Sequence, residues 1–279
     1  MLKEKIKTGK PILVGSIWDP LSARIYQKAG FDALNVGSYT VAASFGFPDV
    51  GLITWLDYLE ITRKVTSFSN LPVMIDGEQG FGHKNLTVYT FGEFERVGAS
   101  AMRIDDKAGT VKCPYLGTPD VSPVEETVDK IRAVVQSRKS DDFMIIARSS
   151  AAHKYGFNES LERLKAFRDA GADVLWPSTW SMQDLELSKK TFPDVPLCVS
   201  LTPFSVKKYT GLTVRQAVDM GYQLIFFSST IFFAGLKRSL EAATSIVQKG
   251  DPKQLWPDEY WDEQFLELVE FTKWTKPAV

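Results

Sequence analysis

The chain has 279 residues, 44% hydrophobic and 24% charged, enough to bury a large core within one domain. Its 33 basic and 34 acidic residues leave a net charge of −1 without a long run of one sign, which excludes the electrostatic footprint of a nucleic-acid or anionic-lipid binder. Nothing approaches the roughly 20 apolar residues that span a bilayer. The start, Met1-Leu2-Lys3-Glu4-Lys5, reads as a charged helix rather than a signal peptide, and only Cys113 and Cys198 are present, so a cytoplasmic protein without disulfides is expected.

One pattern recurs eight times in chain order: a short β-branched or aromatic run follows a helix ending in Gly or Pro, and polar residues follow the run. The runs are Ile12–Val14, Ala33–Val36, Pro72–Ile75, Ala101–Ile104, Phe143–Ile146, Asp173–Trp176, Pro196–Val199 and Gln223–Phe227. Gly30, Gly98, Gly171 and Gly221 stand in the same place before four of them, where a left-handed C-cap turns the chain into the next strand. Continuous apolar strands alternating with amphipathic helices predict an α/β fold, a (β/α)8 TIM barrel with extra C-terminal helices, built as a single domain over 1–279. The irregular stretch from Lys107 to Val121 follows the fourth run and has the length of an active-site lid. The tail, 252–279, crowds Trp256, Tyr260, Trp261, Phe265, Phe271 and Trp274 into an acidic amphipathic segment too apolar to float in water; it packs on its own barrel or on a neighbouring subunit.

In such a barrel the chemistry sits at the C-terminal ends of the strands. The third run continues as Asp76-Gly77-Glu78-Gln79-Gly80-Phe81-Gly82, and the fourth as Arg103-Ile104-Asp105-Asp106-Lys107. Alternation along a strand turns Asp76 with Glu78, and Arg103 with Asp105, toward one mouth. Three carboxylates converging there repel one another unless a cation sits between them, and carboxylates with water suit a hard ion, Mg²⁺ first and Mn²⁺ second. The competing reading is that these acids cap helices or pair with Arg103 and Lys107.

The phrase Ala42-Ala43-Ser44-Phe45-Gly46-Phe47-Pro48-Asp49, the Asp76–Gly82 turn, Asp105-Asp106-Lys107 with Lys112-Cys113, and Phe143–Arg148 occur in the order and spacing of the isocitrate lyase and phosphoenolpyruvate mutase superfamily. From about residue 10 to 250 the chain resembles its short members of the methylisocitrate lyase type. The resemblance implies a Mg²⁺-dependent enzyme that makes or breaks a bond beside a pyruvate-like or succinate-like carboxylate through an enolate. It further implies Asp76, Glu78 and Asp105 as metal residues and Asp49 as an aid to the metal's water shell. Gly37 and Ser38 fall where backbone N–H groups receive the substrate carboxylate, and Arg148 where an arginine grips substrate oxygens. Cys113 aligns with the catalytic cysteine of the lyases, a general acid and base on a mobile loop; the alternative is a small buried thiol.

The departures from the family pattern cluster at the mouth. A metal-site aspartate has become Glu78 and the metal-shell glutamate Asp105, an exchange of one methylene. The histidine expected two residues before the metal-shell acid is Arg103, and Pro114-Tyr115 replaces Gly-His after the cysteine, so two proton carriers that titrate near neutrality are lost. Arg148-Ser149-Ser150, Trp176-Pro177-Ser178, and Ser200 with Thr202-Pro203-Phe204 replace more polar motifs at three further strand ends. Tyr39, Arg103, Trp176, Ser200 and Thr202 are expected to line the substrate pocket. Trp18, Trp180 and Phe227 lie near it too, and the pocket accepts a bulkier or less charged substrate than methylisocitrate unless these aromatics only fill space. His83 and His153 read as solvated loop residues, with His83 the better spare proton carrier.

The leading expectation is a metal-dependent lyase forming or cleaving a C–C bond in a substituted 2-hydroxy or 2-oxo carboxylic acid. The alternatives are other chemistry on the same fold, of the phosphonopyruvate hydrolase or mutase or the oxaloacetate decarboxylase or hydrolase type, and a diverged barrel that binds a ligand or partner. The expected partner is a small-molecule carboxylate, and the expected assembly a homodimer or homotetramer built on terminal helices.

Overall fold

Every apolar run of the sequence becomes a strand, and the polar residue that ends it becomes the rim of a barrel. In the computed structural model, residues 1–109, 117–179, 181–201, 212–250 and 262–275 are described. The elements are α1 (Leu2–Lys7), β1 (Ile12–Ile17), α2 (Pro20–Lys28), β2 (Ala33–Val36), α3 (Ser38–Ser44), α4 (Trp55–Thr66), β3 (Val73–Asp76), α5 (Lys84–Arg96) and β4 (Ala101–Asp105). There follow β5 (Lys107–Ala108), β6 (Asp120–Val121), α6 (Val124–Ser137), β7 (Met144–Ser149), α7 (Ala152–Tyr155), α8 (Phe157–Asp169), β8 (Val174–Pro177) and α9 (Met182–Thr191). The last are β9 (Cys198–Ser200), α10 (Val214–Asp219), β10 (Leu224–Phe227), α11 (Thr230–Lys249), α12 (Asp262–Leu268) and α13 (Phe271–Thr275).

Eight strands pair in the order β8-β7-β4-β3-β2-β1-β10-β9, all in parallel. A parallel bridge from Leu175 to Leu197, with the Leu175 N–H donating to the Pro196 carbonyl at 3.0 Å, brings β8 back to β9 and closes the ring. This is the expected TIM barrel. The glycines expected to end helices do so with positive φ, 86° at Gly98 and 103° at Gly171, which an L-residue adopts only under strain. Helix starts follow local chemistry as well: Asp19 accepts the Ser22 N–H at 2.6 Å, and Pro20 opens α2 where no amide donor is needed.

Alternation divides the apolar side chains between two layers. Ile12, Val14, Ala33, Met74, Ala101, Met144, Ile146, Val174, Cys198, Leu224 and Phe226 fill the barrel interior, with Leu2 and Ile6 of α1 closing its N-terminal end. The intervening residues, such as Leu34, Ile75, Met102, Ile145 and Leu175, pack outward on the helices. With the floor plugged by hydrocarbon, only the C-terminal rim is open to polar groups.

β5 and β6 pair antiparallel at the base of the expected lid, Lys107 opposite Val121, but residues 110–116, Cys113 included, lie outside the described residues. In the tail, α12 lies against the chain's own α2: Lys28 pairs with Glu267 at 2.6 Å, Leu268 is buried, and Arg24 pairs with Glu270 of the turn before α13 at 3.2 Å. Among the described residues no helix is long and apolar enough to cross a membrane.

Candidate active site

Strand register builds the mouth. It sets Asp76 of β3 beside Arg103 of β4, Asp105 of β4 beside Arg148 of β7, and Arg148 beside Trp176 of β8. Arg103 forms an ion pair with Asp76 Oδ2, and Arg148 Nε donates to Asp105 Oδ1 at 2.5 Å. Lys107 Nζ lies 3.1 Å from Asp105 Oδ2 and 3.5 Å from Glu78 Oε2. Both guanidinium groups rest on the Trp176 ring, at 5.0 Å for Arg103 and 5.5 Å for Arg148, and Trp176 itself packs on Phe226.

The turn after β2 approaches from the other side. The Ser38 N–H donates to Asp76 Oδ2 at 3.4 Å and Ser38 Oγ to Asp49 Oδ2 at 3.2 Å, which brings α3 and the following loop to the acids. The Gly37 N–H is directed to the Ile17 carbonyl at 3.4 Å, so of the two expected amide donors only Ser38 faces the cluster. The turn after β3 is tight. Glu78 has φ +51°, its N–H donates to Asp76 Oδ1 at 3.2 Å, and its carbonyl accepts the Asp105 N–H at 2.7 Å.

Burial and pairing divide the acids electrostatically. Burial pushes Asp76 up, but Arg103, with Lys107 and Arg148 behind it, more than reverses this and holds it well below the usual carboxylate range. Asp105 is likewise buried and likewise lowered, by Arg148, Lys107 and Arg103. Glu78 goes the other way: burial, with Asp76, Asp49 and Asp105 nearby, raises it to about 7 against the pull of Lys107. Asp49 is also raised, chiefly by burial.

Beside Asp49 and Glu78 opens a cavity of about 280 Å³, lined by Ala42, Leu52, Ile53, Trp55, Tyr58 and Phe81 among others. Its walls are mixed, Thr54 and Gln79 standing among the apolar side chains, and the ionisable groups it presents besides the Tyr58 phenol are two acids.

The three acids expected to hold a metal do meet at the mouth, but the argument from repulsion does not carry over. Arg103, Lys107 and Arg148 supply the positive charge that separates them. Among the described residues no three His, Cys, Asp or Glu side chains converge as a metal-binding group. As arranged, the donors do not fit a divalent ion: both Asp76 oxygens are engaged, and Asp105 is held between cations.

Other expectations divide by geometry. Ser200 Oγ lies 3.1 Å from Ser228 Oγ at the rim. Trp18 packs on Phe232 and Tyr39 on Phe233, at the start of α11. Phe227 is corrected to the outer layer, against Phe31, because Phe226 occupies the inward position of that strand and the pleat turns the next residue away. His83 is exposed ahead of α5, and His153 Nε2 lies 3.1 Å from Ser178 Oγ. Cys113, Trp180 and Thr202 lie outside the described residues. Cys198 is buried in the barrel, where burial pushes its thiol well above the ordinary range.

The competing reading, that the acids pair with Arg103 and Lys107, is the arrangement found, with Lys107 between Glu78 and Asp105. Sequence reasoning passed over Asp106, which accepts from Ser149 Oγ and the Ser150 N–H, both at 2.7 Å, with Arg163 at 3.6 Å. The serines that replace family residues after Arg148 thus hold β4 to β7.

Comparison with known proteins agrees with this architecture. The sequence profile of the phosphoenolpyruvate phosphomutase family matches residues 2–247. The 2-methylisocitrate lyase of Aeropyrum pernix is 31% identical over 99% of this chain and 88% of its own length. The crystal structure of 2,3-dimethylmalate lyase, a PEP mutase/isocitrate lyase superfamily member, superposes with a TM-score of 0.88 at 26% identity, over 97% of this chain and 90% of its own. Phosphonopyruvate hydrolase, solved with oxalate and Mg²⁺, has a TM-score of 0.85 at 24% identity, covering 98% of this chain and 94% of its own, and shares the fold. Profile and relatives together span nearly the whole chain, and the protein belongs to the phosphoenolpyruvate phosphomutase family, within the PEP mutase/isocitrate lyase superfamily.

Proposed function

We propose that the protein is a carbon–carbon lyase acting on a 2-hydroxy or 2-oxo dicarboxylic acid with a small apolar substituent. The observation that carries this reading is the pair of arginines, Arg103 and Arg148, stacked on Trp176 at the open C-terminal mouth of an otherwise apolar barrel. Arg148 gives its Nε to Asp105, and among the described residues the outer nitrogens of its fork meet no other acid, so they can receive a carboxylate bidentately. On the opposite wall the Ser38 N–H donates to Asp76 and holds that acid in place.

In the cleavage direction, a base takes the substrate's hydroxyl proton and the oxygen pair closes a carbonyl. The C–C pair then moves to the carbon beside the leaving carboxylate, giving an enediolate that is reprotonated at carbon. Positive charge placed where that oxygen charge develops is the main service of the site. Glu78, buried and poised near neutrality beside the cavity, is suited to accept the first proton. Cys113, outside the described residues, is the proposed donor of the second.

The cavity bears on substrate choice. A third carboxylate there would face the acids Asp49 and Glu78, whereas alkyl groups would bury against Leu52, Ile53 and Trp55. This favours an alkylated malate-like acid over methylisocitrate. The 2,3-dimethylmalate lyase relative from Eubacterium barkeri is so named, at 27% identity over 88% of this chain and 84% of its own.

Mg²⁺ or Mn²⁺ is the cofactor the resemblance implies; bound beside such acids, a divalent ion supplies Lewis-acid stabilisation of an enolate. The acids here face fixed cations, and no part of this mechanism depends on the ion. The same proposal takes the chain as one barrel domain whose segment 252–279 contributes to a homodimer or homotetramer acting in the cytoplasm.

The test is product analysis with alkylated malates, methylisocitrate, oxaloacetate and phosphonopyruvate. Release of pyruvate with a monocarboxylate from an alkylated malate supports the lyase as proposed, and pyruvate with succinate would keep the lyase but move its substrate to methylisocitrate. Oxalate with acetate, CO₂, or phosphate release would assign hydrolysis, decarboxylation or C–P chemistry on the same fold. Turnover of none, with tight capture of one, would return the diverged binding barrel.

A further inference from the structure

We infer that Arg103 is the resident cation of the site: its guanidinium takes the part at Asp76 that the resemblance gives to a divalent ion, and the mouth binds its carboxylate ligand without added metal. This rests on the proposed function, in which the mouth holds a pyruvate-like carboxylate.

Arg103 stands where the family pattern has a neutral or titrating histidine. Register sets it beside Asp76, with both side chains almost wholly buried and in ion-pair contact. The two Asp76 oxygens are already used, Oδ1 by the Glu78 N–H at 3.2 Å and Oδ2 by Arg103 and the Ser38 N–H at 3.4 Å. A metal at Asp76 would have to break this set. Nor is there an evident place for the guanidinium to go, since the Trp176 ring lies 5.0 Å away and Arg148 occupies the next position on that ring.

Charge points the same way. Asp49, Asp76, Glu78 and Asp105 are matched by Arg103, Lys107 and Arg148, so the ionised cluster is within one charge of neutral before any ion enters. A divalent ion would reverse its sign and sit against a buried guanidinium, a repulsion that the low-dielectric interior amplifies.

The group also has spare donor capacity. Arg103 Nε is buried without a hydrogen-bond acceptor among the described residues, its nearest carboxylate oxygen being Asp105 Oδ2 at 3.6 Å. A buried, charged N–H left unmatched in a mouth is a place for an anionic oxygen. Arg103 would therefore offer the developing oxyanion both charge and a directed donor.

Calorimetric titration of oxalate, whose adjacent oxygens mimic the carboxylate and neighbouring oxygen of the pyruvate fragment, tests this in EDTA and in excess Mg²⁺. The expected result is one affinity, equal within about twofold in the two buffers, and weakened about tenfold or more in Arg103→Gln, as for loss of a charged hydrogen bond. Circular dichroism establishes that the variant folds, and Arg103→Lys, which retains the charge, keeps metal-free binding if Arg103→Gln does not fold. Equilibrium dialysis of Mn²⁺ gives a second readout: no retention by the native chain, and retention by Arg103→His. Oxalate binding that appears only with Mg²⁺, or native retention of Mn²⁺ that Asp76→Asn abolishes, would overturn the inference and leave the lyase reading standing. Absence of oxalate binding in both buffers would overturn the two together.

Discussion

Arg148 is the residue on which the proposed carboxylate site depends most directly. Arg148→Lys keeps the charge but loses the planar fork, and kcat/KM for the true substrate is expected to fall about 100-fold, the scale of losing a preorganised donor. Steady-state kinetics measure this, and a change under about threefold would remove Arg148 from the site. Glu78 gives a prediction about stability. Its carboxyl is raised to about 7 in the fold from an ordinary 4.5, so the folded state binds the proton more tightly than the unfolded chain. Stability contributed by this group is present below about pH 4.5 and is lost as pH rises through about 7. Asp76 and Asp105 are lowered, so their contributions are lost only below the ordinary carboxylate range and do not mask this window. The thermal midpoint of the ligand-free protein is expected to fall from about pH 5 to about pH 8, and Glu78→Gln to flatten that slope. Gly77 is held by space rather than by conformation: a Cβ there would stand 2.3 Å from Met102 Cε and 2.4 Å from the Arg103 carbonyl. Gly77→Ala is expected to destabilise by about 1–3 kcal/mol in urea denaturation and to disturb the Arg103 pair.

At the scale of elements, the strands were legible because each is an uninterrupted apolar run, and the rim because a polar residue ends it. Alternation alone indicated that Asp76, Arg103 and Asp105 face one mouth. It did not indicate which acid meets which base, since that follows from the stagger of β3, β4, β7 and β8, which no single strand encodes. The same stagger recruits Lys107, two residues beyond the end of β4, between Glu78 and Asp105. Helix α1 was legible only as a charged amphipathic start; the barrel makes it a floor. Leu2 is fully buried there, and Leu2→Ala is expected to lose about 3 kcal/mol of stability in denaturant unfolding, far more than an exposed N-terminal residue would.

For the whole molecule, the open question of the tail has a partial structural answer. Lys28 and Arg24 of α2 hold α12 and the turn after it by Glu267 and Glu270, yet Phe271 and Trp274 stay largely exposed, and α11 buries none of its residues. Apolar surface of this kind on two terminal elements is the pattern of an interface. Sedimentation is expected to give a dimer or tetramer for the full chain and a monomer after truncation at about Asp251; an unchanged mass would assign the tail to its own barrel alone.

The order of apolar runs, the glycines that end the helices and the residue types at the rim determine, by sequence alone, a (β/α)8 barrel with acids and arginines at its working end, because periodicity and turn chemistry are local properties. The tertiary structure decided how those charges are spent. Only strand stagger and burial set Arg103 on Asp76, left Glu78 with a raised carboxyl, and arranged the converging carboxylates with Arg103, Lys107 and Arg148 as a nearly neutral array of ion pairs, because electrostatic pairing in a barrel depends on contacts between strands far apart in the chain.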